Sequence, residues 1–139
     1  MTASFVLDSS VALAWCFADE ATRETVRLYD RMEKESAAIP GWWFIEIANV
    51  LALSERKGRI VPAKTAEFIS LIARFKLEID NDAPRRAFDF LLPLCRTHNL
   101  TSYDAIYLDL AIRRHLPLAT LDEPLRKAAK KVGVKLLGK

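Results

Sequence analysis

Four acidic residues stand where ordinary surface charge is a poor explanation: Asp8, Glu46, Asp104 and Asp122. Asp8 closes the apolar run Phe5-Val6-Leu7. Glu46 is the one charge in the stretch Trp42–Leu53. A helix apolar on nearly every side should be largely buried, and a carboxylate there is costly unless it is paired or binds a metal. Asp122 follows Leu118-Ala119-Thr120, and Asp104 opens another helical stretch. Carboxylates gathered in one place raise each other's pKa, and a divalent cation resolves that conflict. Oxygen ligands without Cys or His suit Mg²⁺ or Mn²⁺. Such sites serve phosphodiester hydrolysis, where metal activates water and stabilises charge on the attacking and leaving oxygens. Ser9, Ser10, Ser102 and Thr120 are candidates to orient the carboxylates.

Each acid also has an ordinary reading. Asp8 can cap the helix that starts at Ser9-Ser10. Asp104 can complete a capping box in Thr101-Ser102-Tyr103-Asp104. Glu46 can emerge at a helix start, where the dipole favours it. Asp122 is harder to dismiss: Pro124 suits the first helical position, leaving Glu123 as the cap and Asp122 in the loop. Asp109 lies off to the side of Asp104 and can pair with Arg113 four residues on, a structural role. His98 and His115 fall at helix ends without a zinc-like companion.

The elements that must position these residues are legible as alternating strands and helices. Strand candidates are 4–7, 37–39, 77–79, 117–120 and 134–137. Helical patterns cover 10–17, 20–35, 42–57, 62–76, 84–97, 102–115 and 124–132. Pro62 and Pro84 fit first helical turns, and Gly58 fits a helix end. The alternation predicts an α/β fold: a central parallel sheet of about five short strands flanked by helices in three layers. Ligands of such sheets bind beyond the carboxyl ends of the strands. Asp8, Asp122 and the start of the Asp104 helix all fall at that edge.

The 139 residues fit a single domain spanning 1–139, with 51% hydrophobic and 28% charged residues. Two cysteines in apolar runs, Cys16 and Cys95, give no disulfide framework and read as core thiols in a reducing compartment. The start, with Asp8 in its middle and no basic leader, makes a poor signal peptide. Uncharged runs fall short of the roughly 20 residues of a membrane span. A soluble, cytoplasmic protein is expected. The net charge of +3 is uneven: residues 124–139 carry six Lys and Arg and no acid, leaving −3 for the rest. A basic tail on an acidic body suits phosphate binding beside a metal-loaded site, although a solvated helix face explains it as well.

Taken together, Phe5-Val6-Leu7-Asp8-Ser9-Ser10, Glu46 within Ile-Glu-Ile-Ala-Asn-Val-Leu, Ser102-Tyr103-Asp104-Ala105-Ile106-Tyr107-Leu108 and Ala119-Thr120-Leu121-Asp122 resemble the PIN-domain family, and more narrowly its VapC-like toxin ribonucleases. The resemblance implies Mg²⁺- or Mn²⁺-dependent cleavage of RNA, a homodimer, and a cognate antitoxin that blocks the site. It carries the family's acids onto Asp8, Glu46, Asp104 and Asp122, with Ser9 and Thr120 supporting them. Arg85, Arg86, Lys127 and Lys130 are candidates for RNA contact. Asp109 stands where relatives often have a small apolar residue.

Rival readings fit less well. A haloacid-dehalogenase-like phosphatase needs a second aspartate two residues after the first, and Ser10 stands there. A response-regulator receiver needs an acidic pair after the first strand; Asp80 and Asp82 follow the third. A catalytically silent partner-binding module, with apolar helices such as Trp42–Leu53 as its surface, remains the alternative from another class.

Overall fold

Phe5–Leu7 forms β1, a strand with every side chain buried. It lies between two parallel neighbours, β2 (Ser36–Pro40) and β4 (Leu118–Ala119). Beyond β2 lies β3 (Lys76–Asp80), and beyond β4 lies β5 (Leu136–Leu137), both parallel as well. The computed structural model, which describes residues 2–139, therefore has a five-stranded sheet of order β3-β2-β1-β4-β5. All five expected strands are present. The inner strands are apolar because helices cover both faces. The edge strand β3 instead alternates Lys76, Glu78 and Asp80 with Leu77 and Ile79, a charged rim that discourages further pairing.

The chain builds β1, β2 and β3 outward on one side, then crosses back to place β4 on the other. The order thus reverses between β1 and β4, and at such a reversal a crevice opens outside the strands' carboxyl ends. Asp8 follows β1 at that point, and Thr120 follows β4.

The connecting helices are α1 (Ser9–Cys16), α2 (Arg23–Arg31), α3 (Trp42–Arg56), α4 (Pro62–Ile72), α5 (Ala83–Arg86), α6 (Leu92–His98), α7 (Ser102–Arg114) and α8 (Glu123–Val132). The pattern over 20–35 resolves into a 3₁₀ turn, Ala18–Glu20, and the shorter α2. The boundary is set by Thr22, whose hydroxyl accepts from the Thr25 amide while the Thr25 hydroxyl accepts from the Thr22 amide. The expected helix 84–97 is a single helical run with a widened turn, Ala87–Leu91, between α5 and α6. Pro93 explains it: proline offers no N–H to the carbonyl four residues back, and its ring crowds that carbonyl. Gly133, at φ +79°, ends α8 in the left-handed region that favours glycine.

Trp43, Tyr107, Phe5, Leu7, Ile39, Leu108, Leu118 and Leu125 fill the centre. Two expectations about burial need correction. Only the stripe Trp43, Ile47, Leu51 and Ser54 of α3 faces this core, while Phe44, Ile45 and Leu53 are 41%, 55% and 40% exposed. The helix is apolar all round because it has two apolar faces, one of them open. Cys16 and Cys95 are free thiols, but half-buried rather than part of the core.

Candidate functional site

Asp8 occupies the cap position of α1, yet its side chain makes no capping bond. It turns across the sheet instead. The Ser10 hydroxyl donates to Asp8 Oδ2 at 2.6 Å and the Thr120 hydroxyl donates to the same oxygen at 2.7 Å. Each hydroxyl is fixed from behind: Ser10 Oγ accepts from the Leu121 amide and Thr120 Oγ1 from the Asp122 amide, both at 3.0 Å. The β4–α8 loop therefore aims both hydroxyl protons at one carboxylate. The backbone adds a tie, with the Asp8 amide donating to the Ala119 carbonyl at 2.9 Å.

Thr120 thus touches Asp8 as the sequence suggested. The second hydroxyl comes from Ser10, whereas the buried Ser9 faces Glu46 and Tyr107 and draws the pKa of both down.

Glu46 reaches the site from the second turn of α3. The Tyr107 hydroxyl, from α7, donates to Glu46 Oε1. Tyr107 was not apparent as a site residue, although its position three residues after Asp104 puts both on one face of α7. Asp104 carries only half of the expected capping box: its amide donates to Thr101 Oγ1 at 3.2 Å, and no return bond from its carboxylate is present. Its half-buried carboxylate is acted on by Asp122, by Asp8 and by the Thr101 hydroxyl. Asp122, expected in the loop before a Glu123 cap, is itself the cap of α8, its Oδ2 accepting from the Leu125 amide at 3.0 Å. Pro124 sits one position deeper than expected, which shifts the helix start by a residue.

Three of these acids, Asp8, Glu46 and Asp104, have pKa values raised by burial and by neighbouring carboxylates. Burial, aided by the charge of Asp122, lifts Asp8 above the ordinary aspartate value against the pull of its two hydroxyls. Burial, with the charges of Asp8 and Asp104, lifts Glu46 to about 7. Burial, with the charges of Asp122 and Asp8, lifts Asp104 to about 6. No lysine or arginine is among the largest influences on these three. The donor set is crowded hard oxygen without Cys or His, which fits Mg²⁺ or Mn²⁺. The fit is to an open site. Among the described residues, no three His, Cys, Asp or Glu side chains close around a common point as a finished cage. Mg²⁺ commonly keeps several waters and needs only one or two carboxylates.

The raised values have a consequence for folding. A carboxyl raised in the folded state contributes stability below its unfolded value, here 3.8 for aspartate and 4.5 for glutamate, and loses it as pH rises through the folded value. The metal-free protein is expected to melt progressively lower between pH 5 and pH 8, and saturating Mg²⁺ should remove most of that decline. A flat melting profile in EDTA over this range would contradict the charge crowding.

The suggested RNA-contact residues separate into two kinds. Lys127 and Lys130 are exposed on α8 and line a groove of about 700 Å³ with His98, Asn99 and Lys131. Arg85 is exposed and paired with Asp82. Arg86 is drawn inward: its Nε and Nη2 donate to Asp109 at 2.6 and 2.9 Å, and its guanidinium lies over the Phe90 ring. Asp109 also accepts from Arg113 at 3.2 Å, the pair expected from their spacing. Arg126, counted in the basic tail, is buried and donates to the carbonyls of Thr120, Leu137 and Lys139.

The PIN-domain family profile matches residues 5–131, a span that includes all four acids. The chain belongs to the PIN-domain family. The crystal structure of PAE2754 from Pyrobaculum aerophilum superposes with a TM-score of 0.71 at 25% identity, covering 96% of this chain and 83% of that one. No curated protein matches the chain. PIN domains are in general nucleases that use divalent metal, so the family and the chemistry of the donor set agree. Among the described residues, no helix of this PIN domain is long and apolar enough to cross a membrane.

Proposed function

We propose that this PIN domain is a Mg²⁺- or Mn²⁺-dependent endoribonuclease, acting in the cytoplasm as the toxin of a toxin–antitoxin pair. What supports the nuclease reading is the mutual influence of the carboxyls of Asp8, Glu46 and Asp104, with Asp122 among the charges acting on them, beside the β1/β4 reversal. Asp8, Glu46, Asp104 and Asp122 would supply the carboxylates for the metal, not all of them as direct ligands, with water completing its coordination. When bound, the metal supplies Lewis-acid activation of water and neutralises charge on the scissile phosphate. The chain does the rest. Ser10 and Thr120 lock the Asp8 carboxylate in one rotamer. Tyr107 donates to Glu46 Oε1 and so fixes the direction in which this carboxylate faces the site. Lys127 and Lys130 lie along α8, whose cap is Asp122, and guide the phosphate backbone toward the acids.

The open apolar faces of α3 and α4, with Phe44, Ile45, Val61 and Ile69 exposed, support the expected homodimer and antitoxin contacts. A catalytically silent module would use the same faces and make no use of the acids.

The test is cleavage of total cellular RNA by the purified, partner-free protein in Mg²⁺, in Mn²⁺ and in EDTA. Discrete cuts in either metal that vanish in EDTA are expected. Intact RNA in both metals, from folded protein, would overturn the nuclease reading and leave the interaction module. Co-purification with a small, RNA-cleavage-inhibiting protein encoded beside it tests the toxin role.

A further inference from the structure

Beside the acids lies a pocket of about 400 Å³ that the hydrolytic chemistry leaves unused. One wall is aromatic. Trp42 of α3 and Tyr103 of α7 stack with ring centres 4.8 Å apart and planes 13° from parallel. Tyr103 is 51% exposed, so the stack can be reached from solvent. Pro84, Leu91 and Ile106 complete an apolar lining. At the rim sits Asn81, exposed, with its amide oxygen folded over Gly41. A Cβ at Gly41 would stand 2.5 Å from that oxygen, so the missing side chain makes the room for the amide.

The pocket and the acids share one seam between α3 and α7. Trp42 precedes Glu46 by four residues, and Tyr103 precedes Tyr107 by four. Since Tyr107 donates to Glu46, the stack and the carboxylate are neighbouring rungs of the same helix pair. One helical turn separates them, roughly 6 Å, a distance on the scale of one nucleotide step. Asp104, next to Tyr103 in sequence, faces the other acids.

Resting on the ribonuclease reading above, we propose that this pocket receives one unpaired base of the RNA, adjacent to the phosphate that is cut. The base lies against the Trp42–Tyr103 stack, and the Asn81 amide meets its hydrogen-bonding edge. Sequence choice in single-stranded RNA works through bases splayed out onto aromatic rings and read at their edges. A site with a ring wall, a free polar rim and a catalytic centre one step away has the parts for it. The substrate is then single-stranded or looped at the cleavage point, and the preferred base at one position is set by Asn81.

The experiment uses full-length protein carrying Asp8→Asn, in Mg²⁺, and labelled single-stranded oligoribonucleotides in which an abasic residue is moved through the sequence. Binding is read by fluorescence anisotropy. One abasic position is expected to weaken binding by about tenfold or more, the effect of one lost base–aromatic stack. Tyr103→Ala should cause a similar loss on intact RNA and no further loss on that abasic oligomer. Tyr103→Phe, which keeps the ring, should bind like the parent. Gly41→Ala keeps the stack and displaces Asn81; its backbone, at φ −57°, accepts alanine. It should flatten the preference among bases at that position while the abasic penalty stays. Unchanged affinity in Tyr103→Ala, or an abasic penalty that persists in it, overturns the pocket while metal-dependent cleavage by the unmutated protein still stands. Failure of the unmutated protein to cut RNA and of the Asp8→Asn protein to bind any oligomer overturns the ribonuclease reading and the pocket with it.

Discussion

Asp8→Asn is expected to lower metal-dependent cleavage by about 10³-fold or more, the scale of losing a group placed against developing charge, while melting no lower than the parent in EDTA. The geometry explains both halves. Ser10 and Thr120 donate to the same carboxylate oxygen, and an asparagine can keep its carbonyl oxygen there. Its nitrogen then takes the place of the second oxygen, a donor where a cation needs an acceptor. The fold gains, if anything, because a buried carboxylate that burial already pushes toward its neutral form is replaced by a neutral group of the same shape. The variant should also lose the rise in melting temperature that Mg²⁺ gives the parent, since only a ligand that binds the folded state stabilises it. A variant that unfolds would show that Asp8 holds the sheet together. One that cuts normally would remove it from the chemistry.

The largest loss of stability is expected not at the acids but at Arg113. Its guanidinium donates to both oxygens of Asp80 at 3.0 and 3.2 Å and to Asp109 at 3.2 Å, and Arg86 completes the chain on Asp109. Burial pushes Asp80 upward, yet Arg113 holds it below the usual carboxylate range. This set joins the end of β3, the α5 turn and the middle of α7. Arg113→Met leaves Asp80 with only the Asp82 amide as a donor, and Asp109 with Arg86 alone. Removing one member of a buried ion pair costs about 3 kcal/mol or more; Arg113 and Asp80 are partly buried, so about 2 kcal/mol is expected, and the melting temperature should fall by roughly 6 °C for a domain of this size. Arg86→Met should cost less, because its partner keeps Arg113. Equal, negligible shifts for both would mean that water replaces the guanidinium without penalty.

Where the sequence could be read and where it could not follows from the range of the forces involved. Strands such as Phe5–Leu7 were visible because a parallel strand buried on both faces leaves an uninterrupted apolar run. Asp8 and Asp122 were assigned to one edge because strand polarity alone dictates it, and the β1/β4 pairing places them there. The exposed face of α3 was hidden because composition cannot distinguish an apolar face that meets a core from one that meets solvent. Arg86 looked like a free cation because its partner, Asp109, lies 23 residues away. Tyr107 is the instructive miss: a phenol in an apolar helix reads as core, and it is fully buried, but its hydroxyl end belongs to Glu46. The β3–α7 crossing that unites Asp80, Arg113 and Asp109 likewise exists only in three dimensions.

β4 and β5 are two residues long, and the carbonyls of Thr120 and Leu137 are gathered by Arg126 rather than by a longer ladder. Residues 116–139 are therefore held by short β1–β4 and β4–β5 ladders, by the core contacts of Leu118, Ala119 and Leu125, and by the Arg126 guanidinium. Elements with few ladder bonds open at a lower free energy than the whole fold. Amide protons of Leu118 and Thr120 should exchange with solvent well before those of Phe5–Leu7, and catalysis should fade on warming while most of the sheet is still intact. Any binder that clamps α8 against the rest of the chain would then raise activity, and one that pries it away would silence the protein without touching an acid.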